Sequence, residues 1–142
     1  MYENYIFDLY GTLVDINTNE ARRGLWQKLA LFFSYNGAFY KSTELRKAYI
    51  AEVKKELDKN TKTKYPDINV SIVFERLYSN KGIKGSKELI TQTERLFRTL
   101  SVDYIKLYPG ALELLQALKA KGKKIYMLSN GQRCYTVPEL KY

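Results

Sequence analysis

The sequence predicts an α/β protein, mostly helical by residue count, in which a small parallel sheet is interrupted by a four-helix insertion. Two apolar, β-prone runs at residues 4–9 and 123–128 stand near opposite ends of the chain. Between them, apolar residues recur at helical spacing. A strand, a helical crossover and a second strand imply parallel pairing, so we expect the two runs to be neighbours in one sheet.

The first apolar run is expected to be a short buried strand with Asp8 at its carboxyl end, followed by a loop that contains Gly11 and Thr12. Open α/β sheets bind ligands outside the carboxyl ends of their strands, which makes Asp8 a candidate functional residue. An aspartate after an apolar run is also typical of a turn or a helix cap. The residue alone leaves both interpretations open.

The first two helices of the insertion follow this loop. The first is expected from about residue 20 to 36, capped by the side chains of residues 17–19 and ended by the Asn-Gly pair at 36–37. The second begins at residue 42 or 43. The residues expected on their packed faces are Leu25, Trp26, Leu29, Phe32, Phe33, Leu45, Tyr49, Val53 and Leu57.

A polar loop is expected over residues 58–66, before the third and fourth helices. Asp67 is a candidate cap of the third helix, and Ser86 of the fourth. Both helices carry a clear apolar face. Its expected members are Val70, Val73, Phe74, Leu77, Leu89, Ile90, Thr93, Leu96, Phe97 and Leu100.

Residues 109–110 then open a last helix, which bears Leu112, Leu115 and Leu118 and ends at Gly122. A second buried strand follows over residues 123–128. Because the carboxyl ends of parallel strands meet at one edge, we expect Asp8 and Ser129 to emerge side by side.

The amino-acid composition limits the kinds of catalytic and metal-binding site that the chain can form. The 142 residues include no histidine and one cysteine, Cys134, in what we interpret as a polar tail without an activating partner. Histidine-assisted nucleophiles and most zinc sites are thereby excluded. Catalysis would rest on carboxylates, tyrosines, lysines, hydroxyls or a hard cation.

The formal net charge is +9, with Lys and Arg spread over every segment rather than gathered in one stripe. This favours a solvated basic surface that attracts small anionic substrates over nucleic-acid binding, which we expect to be unlikely. No apolar run approaches the length of a membrane span, and the N-terminus lacks the features of a signal peptide. We therefore expect a cytoplasmic protein without a membrane partner.

The run Phe-Asp-Leu-Tyr-Gly-Thr-Leu-Val-Asp at residues 7–15 resembles the first motif of the haloacid dehalogenase-like (HAD) hydrolases, whose nucleophile is an aspartate in an Asp-x-x-Gly-Thr setting. The strand that ends in Ser129 and Asn130 is similar to the second motif of that family. The Tyr-Pro-Gly run at 108–110 resembles the loop that opens the preceding helix. The resemblance runs the length of the chain.

The resemblance implies a partial HAD-like Rossmannoid core at residues 1–16 and 101–142, with a helical cap at 17–100. Asp8 would be the nucleophile, with Tyr10, Ser129 and Asn130 as further catalytic residues. Gly11 and Thr12 would bind the substrate. Mg²⁺ would be the cofactor, held by Asp8 and the Tyr10 backbone carbonyl, although so few ligands would hold it poorly.

Position 10 keeps two activities open. Phosphatases of the family place a second aspartate there as general acid and base, whereas a tyrosine is similar to the pattern of the 2-haloacid dehalogenases. The resemblance therefore implies either a phosphatase for a small phosphorylated metabolite or a dehalogenase. Dehalogenases also use a cap arginine to receive the halide, and residues 25–40 contain none.

The chain is shorter than the family, which continues with a lysine motif and an acidic motif. We therefore expect a C-terminally truncated protein with impaired activity, or a non-catalytic domain that needs a complementing chain. A two-stranded sheet is marginal alone, and its edge is a template for another chain. We expect it to associate as a homo-oligomer or a segment-exchanged dimer, or to depend on its helices for stability.

Overall fold

The computed structural model describes residues 2–59 and 67–142, so the loop predicted at 58–66 lies largely outside the described residues. The mixed α/β architecture is as predicted. In chain order, the elements are β1 (Asn4–Phe7), β2 (Val14–Thr18), α1 (Arg23–Tyr35), α2 (Ser42–Lys59), α3 (Val70–Ser79), α4 (Lys87–Ser101), β3 (Val102–Leu107), α5 (Ala111–Ala120), β4 (Lys124–Met127) and α6 (Arg133–Glu139).

The chain forms two compact units. The first, here called the sheet unit, comprises Met1–Asn19 and Val102–Gly131. The second, the helical unit, comprises Glu20–Ser101 and Gln132–Tyr142. The last eleven residues thus group with the helices, whereas the sequence places them with the sheet, because α6 packs against α4.

The predicted parallel pairing is present in the sheet unit. Strands β1 and β4 pair in parallel, in a register that runs from Asn4 opposite Lys124 to Phe7 opposite Met127. The ladder extends one residue further, since the Leu128 amide donates to the Phe7 carbonyl at 2.9 Å. Both strands are shorter than the runs predicted at 4–9 and 123–128.

The prediction that both strands are buried is wrong. Ile6 on β1 and Tyr126 on β4 are exposed, because only one face of this sheet is covered. On that face, Phe7 packs against a small apolar cluster. The buried members of the cluster are Leu9, Leu13, Val14 and Ala111, and its partly buried members include Tyr10, Ile16, Ile105 and Leu115.

The sheet unit also contains a second sheet, which the sequence does not predict. Strands β2 and β3 pair antiparallel, from Val14 opposite Leu107 to Thr18 opposite Val102. The alternation of Val14 and Ile16 with polar residues was the available signal. The sequence instead favours helix caps at residues 17–19, because Asn and Thr are typical of both caps and turns.

The helical unit contains the four predicted helices and one aromatic-rich core. Trp26 lies 5.3 Å from Tyr49 between ring centroids, and Phe33 stacks on Tyr78 at 4.2 Å. Such aromatic pairs contribute beyond the area they bury. The fully or almost fully buried members include Leu25, Leu29, Phe33, Leu45, Val73, Phe74, Leu77, Tyr78 and Phe97.

The helix termini differ in part from the prediction. Helix α1 begins after Arg22 without a side-chain cap, so residues 17–19 do not cap it. Helix α3 is capped by Asn69, whose side chain accepts from the Ser71 amide at 3.0 Å, rather than by Asp67. The Ser86 cap is confirmed, since its hydroxyl accepts from the Leu89 amide at 3.1 Å.

Helix α2 buries two carboxylates that the apolar pattern did not predict. Residues spaced by four rotate about 40° per step around a helix, so the line from Leu45 through Tyr49 drifts away from the core by Leu57, which is exposed. Glu52 and Glu56 take the buried positions instead. Arg76 on α3 pairs with both, at 2.8 Å from Glu56 and 3.8 Å from Glu52.

Three neighbouring residues favour the ionised form of the Glu52 carboxylate. Burial alone would raise its pKa, but hydrogen bonds from Lys55 and Asn80, together with the charges of Lys55 and Arg76, hold the pKa below its ordinary value of 4.5. The unfolded chain therefore binds the proton more readily. The stabilisation from this group is present above pH 4.5 and is lost as the pH falls through the lowered value.

No helix in residues 2–59 and 67–142 is long and apolar enough to cross a membrane.

Replacing Arg76 with Met is expected to lower the free energy of unfolding by about 3–5 kcal/mol, because it leaves two buried carboxylates without their shared cation. Urea denaturation at neutral pH, followed by circular dichroism, measures this. Arg95→Met on the exposed side of α4 is the matched control and should change stability by less than about 0.5 kcal/mol. Equal effects of the two substitutions would show that the pairing contributes nothing.

Candidate functional site

The paired ends of β1 and β4 bring the two sequence motifs to one edge of the sheet. Phe7 and Met127 are register partners, and the Leu128 amide donates to the Phe7 carbonyl. Asp8 follows directly after β1, and Ser129 lies two residues after β4. Both residues therefore stand at the carboxyl edge of one parallel sheet, where α/β proteins bind ligands.

Asp8 is exposed at this edge, and one of its oxygens is already engaged. The Leu9 amide donates to Asp8 Oδ1 at 2.8 Å, which orients the carboxylate. Among residues 2–59 and 67–142, no group donates a hydrogen bond to Asp8 Oδ2. Leu9 is itself buried in the apolar cluster of the sheet unit. The buried leucine thus anchors the backbone from which the carboxylate projects.

The loop after Asp8 is a tight turn built on the Leu9 carbonyl. This oxygen accepts from the amides of Thr12, Leu13 and Val14, at 3.3, 2.9 and 2.9 Å. Gly11 has φ +77°, which favours glycine, and its amide donates to the Val14 carbonyl at 2.8 Å. The family resemblance implies that Gly11 and Thr12 bind the substrate, and in the structure the backbone amides of both residues donate within the turn.

Ser129 and Asn130 follow β4 in a turn of their own. The Gly131 amide donates to Ser129 Oγ at 3.1 Å, the local pattern typical of a serine after a strand. The hydroxyl proton of Ser129 can still be donated to another oxygen. Ser129 is partly buried and Asn130 is exposed, so an approaching ligand would meet both residues.

Tyr10 is partly buried and packs against the apolar cluster of the sheet unit. Its backbone forms an isolated bridge with Val14 across the turn. The position two residues after Asp8 therefore contributes packing to the loop and carries no carboxylate. A phenol, with an ordinary pKa near 10, is a weaker general acid at neutral pH than a carboxyl group.

The described residues fit Mg²⁺ poorly. Mg²⁺ prefers six oxygen ligands in octahedral geometry, usually including one or two carboxylates. Among residues 2–59 and 67–142, no group of three His, Cys, Asp or Glu side chains could hold a metal ion. Asp8 and the Tyr10 carbonyl supply two oxygens at most, so we derive no step through a metal.

A polar cluster in the helical unit was also missed from the sequence. Glu94 on α4 is buried and accepts a hydrogen bond from the Ser71 hydroxyl. Cys134 lies beside it on α6, where burial first and Glu94 second raise the pKa of the thiol to about 12. A protonated, partly buried thiol is a poor nucleophile, which removes Cys134 as a candidate.

A second set of contacts holds α6 against α4 within the helical unit. Arg98 donates to both carboxylate oxygens of Glu139, at 2.6 and 3.3 Å, and stacks over the ring of Tyr135 at 5.0 Å. Burial raises the pKa of Tyr135. These contacts are structural. The available sequence signal was the helical spacing of Tyr135 and Glu139, which are four residues apart.

Comparison with known proteins gives one family. A family model described as a haloacid dehalogenase-like hydrolase matches residues 2–141. No curated protein matches the chain.

Solved structures give two further similarities. One is a predicted phosphoglycolate phosphatase from Haemophilus somnus 129PT, with 18% identity, a TM-score of 0.39, and coverage of 99% of this chain and 56% of that chain. The other is a hydrolase from Pseudomonas syringae, with 22% identity, a TM-score of 0.35, and coverage of 96% and 52%. The chain spans about half the length of both.

Proposed function

We propose that this chain, which belongs to the haloacid dehalogenase-like hydrolases, uses Asp8 as a nucleophile to hydrolyse small phosphorylated metabolites. One observation carries the proposal. The parallel register of β1 and β4 sets Asp8 and the Ser129-Asn130 pair at the same edge of the sheet. The exposed carboxylate and its neighbouring hydrogen-bond donors are the groups that such a reaction needs.

In the first proposed step, a carboxylate oxygen of Asp8 attacks the phosphorus of a phosphate ester. The bond from phosphorus to the alcohol oxygen breaks, and the alcohol leaves with a proton from the solvent. Because the Leu9 amide occupies Oδ1, the attacking atom is Oδ2. The product is an acyl-phosphate on Asp8.

In the second step, water attacks the phosphorus of the acyl-phosphate. The phosphorus–Asp8 bond breaks, which releases inorganic phosphate and restores the carboxylate. The Ser129 hydroxyl and the Asn130 side-chain amide are the proposed donors to the phosphoryl oxygens in both steps. Their role is to hold the group in line with the attacking oxygen.

The helical unit is proposed to act as the cap that selects the substrate, as the family resemblance implies. Its charge supports an anionic substrate. It holds 19 of the 24 Lys and Arg residues but only 10 of the 15 Asp and Glu residues, so the whole net charge of +9 lies there. A positive field raises the local concentration of phosphate esters.

Tyr10 supports a second candidate, dehalogenase-type hydrolysis of a small halogenated acid. The phosphatase reaction benefits from a general acid near Asp8, and position 10 supplies no carboxyl group. A halide leaves from carbon without needing a proton. In this alternative, Asp8 attacks the carbon that bears the halogen, and water then attacks Cγ of the resulting ester.

Replacing Asp8 with Asn is expected to lower phosphate release from p-nitrophenyl phosphate, assayed with Mg²⁺ in the buffer, by at least roughly a thousandfold, because the amide is not a nucleophile. Asp15→Asn is the matched control. Asp15 lies on β2 in the same unit, where it pairs with Lys106 at 3.4 Å, and its loss should leave the rate unchanged. Equal rates for Asp8→Asn and the unmodified chain would remove Asp8 as nucleophile.

Absence of turnover from the unmodified chain, with its fold confirmed by circular dichroism, would instead favour the non-catalytic alternative.

A single turnover in ¹⁸O-water separates the two chemistries. For the phosphatase reaction, we expect ¹⁸O in the released phosphate and none in the peptide that contains Asp8, because water attacks phosphorus. The dehalogenase reaction places ¹⁸O in the Asp8 carboxylate, because water attacks Cγ. Mass spectrometry of that peptide, after reaction with a phosphate ester or with 2-chloropropionate, measures the difference. Label in Asp8 would contradict the phosphatase proposal.

A further inference from the structure

The helical unit contains a cavity between α2 and α3 that is lined by polar and charged residues. Its volume is about 490 Å³, within the range of roughly 300–1,000 Å³ that is usual for small-molecule sites. The lining side chains from α2 are three or four residues apart, so they share one side of that helix. The lining residues are Glu52, Lys55, Asp58, Lys59, Arg76 and Asn80. We call this the α2–α3 cavity.

One carboxylate oxygen in the wall of the α2–α3 cavity is buried without a hydrogen bond. The Glu52 side chain is 5% exposed, and its Oε1 accepts from Lys55 Nζ at 2.7 Å and from Asn80 Nδ2 at 3.4 Å. Among residues 2–59 and 67–142, no group donates a hydrogen bond to Glu52 Oε2, and Arg76 Nη1 lies 3.8 Å from it. A buried, ionised oxygen without a donor is costly, so it favours a ligand that brings an N–H or O–H group.

Two further buried atoms beside this oxygen are incompletely satisfied. Arg76 Nη1 lies 2.8 Å from Glu56 Oε2, but the two atoms make no hydrogen bond with each other or with any other described residue. Their contact is therefore an ion pair alone. Three such atoms at one place are unusual, since most buried polar atoms in folded proteins have a hydrogen-bond partner.

The charges around the α2–α3 cavity limit the kind of ligand that fits. Its lining residues carry two negative and three positive charges, and Glu56, paired with Arg76, adds a third negative charge. The formal charge of the whole site is therefore zero. A purely cationic ligand would be repelled by the three cations, and a purely anionic ligand by the three carboxylates. A neutral ligand with separated charges is attracted by both sets.

The two sets of charges are also placed for such a ligand. The negative end can be taken by Lys59, which is 60% exposed and lies 3.8 Å from Glu56 Oε2, beyond hydrogen-bond distance. The positive end can be taken by the buried Glu52 Oε2. Hydrogen bonds between ionised groups are roughly twice as strong as those between neutral groups, which favours a charged ligand over a neutral polyol.

We propose that the α2–α3 cavity binds a small zwitterion of the α-amino acid class. The ammonium group of the ligand donates to Glu52 Oε2, and its carboxylate accepts from Lys59 Nζ. This is a second small-molecule site, and its occupation does not depend on the chemistry of Asp8.

Titration of the unmodified, ¹⁵N-labelled chain with each of the common α-amino acids, up to about 20 mM, tests the proposal. We expect at least one amino acid to shift the side-chain resonances of Asn80 and Arg76 in a saturable way. The Kd should be on the order of 1 mM, because two charged contacts must offset the cost of association. The N-acetyl derivative of that amino acid lacks the ammonium group, and the amine that decarboxylation gives lacks the carboxylate. Each should bind at least tenfold more weakly.

A pair of variants on α2 tests the proposed contacts. Lys59→Met should weaken binding at least fivefold, because it removes the partner of the ligand carboxylate, and the exposure of Lys59 favours retention of the fold. Lys47→Met is the matched control, since Lys47 is exposed on the same helix and does not line the cavity. It should leave the Kd unchanged.

Three results would overturn the proposal. The first is the lack of a saturable shift at Asn80 and Arg76 with every amino acid in the series. The second is equal weakening by Lys59→Met and Lys47→Met. The third is binding of the decarboxylated amine, or of glycerol as a neutral polyol, with the same affinity as the amino acid, because the separated charges would then contribute nothing.

Discussion

The parallel pairing of β1 with β4 is the interaction on which the candidate site depends. The two strands lie almost 120 residues apart in sequence, and their register sets Asp8 and Ser129 at the same edge of the sheet. The bond from the Leu128 amide to the Phe7 carbonyl extends the ladder to the residue before the motif serine. A turn built on the Leu9 carbonyl then fixes the loop that follows Asp8. The position of these residues at the carboxyl edge of the sheet makes this edge a candidate for chemistry.

The two units differ in charge, in the size of their apolar cores and in the residues they hold. The sheet unit is small and neutral, with one face uncovered, and it holds the motif residues. The helical unit has the large aromatic core, the buried Glu52–Arg76–Glu56 cluster and all the net positive charge. Buried ion pairs are weak evidence for net stability, but removing one partner is costly. The sequence suggested charge spread evenly along the chain, whereas the units reveal its separation.

Features with a local cause could be predicted. The four helices and the Ser86 cap follow from periodicity and capping chemistry. The parallel pairing has distant partners, but it could be predicted because a helical crossover between two strands implies it. Other features that depend on distant partners could not. Strand β2 pairs with a segment more than 80 residues away, and its Asn and Thr residues suggested a cap. The prediction that both strands are buried was wrong. An apolar run shows that a face of the sheet can be covered, but it does not show that the chain covers it.

Trapping the proposed acyl-phosphate intermediate tests directly whether Asp8 is the nucleophile. Quenching during turnover of a phosphate ester and reducing with sodium borohydride converts an aspartyl-phosphate to homoserine, which peptide mass spectrometry locates. We predict homoserine at position 8 and unchanged aspartate at position 15. Substrate turnover with homoserine absent from position 8, or present at another aspartate, would contradict the account.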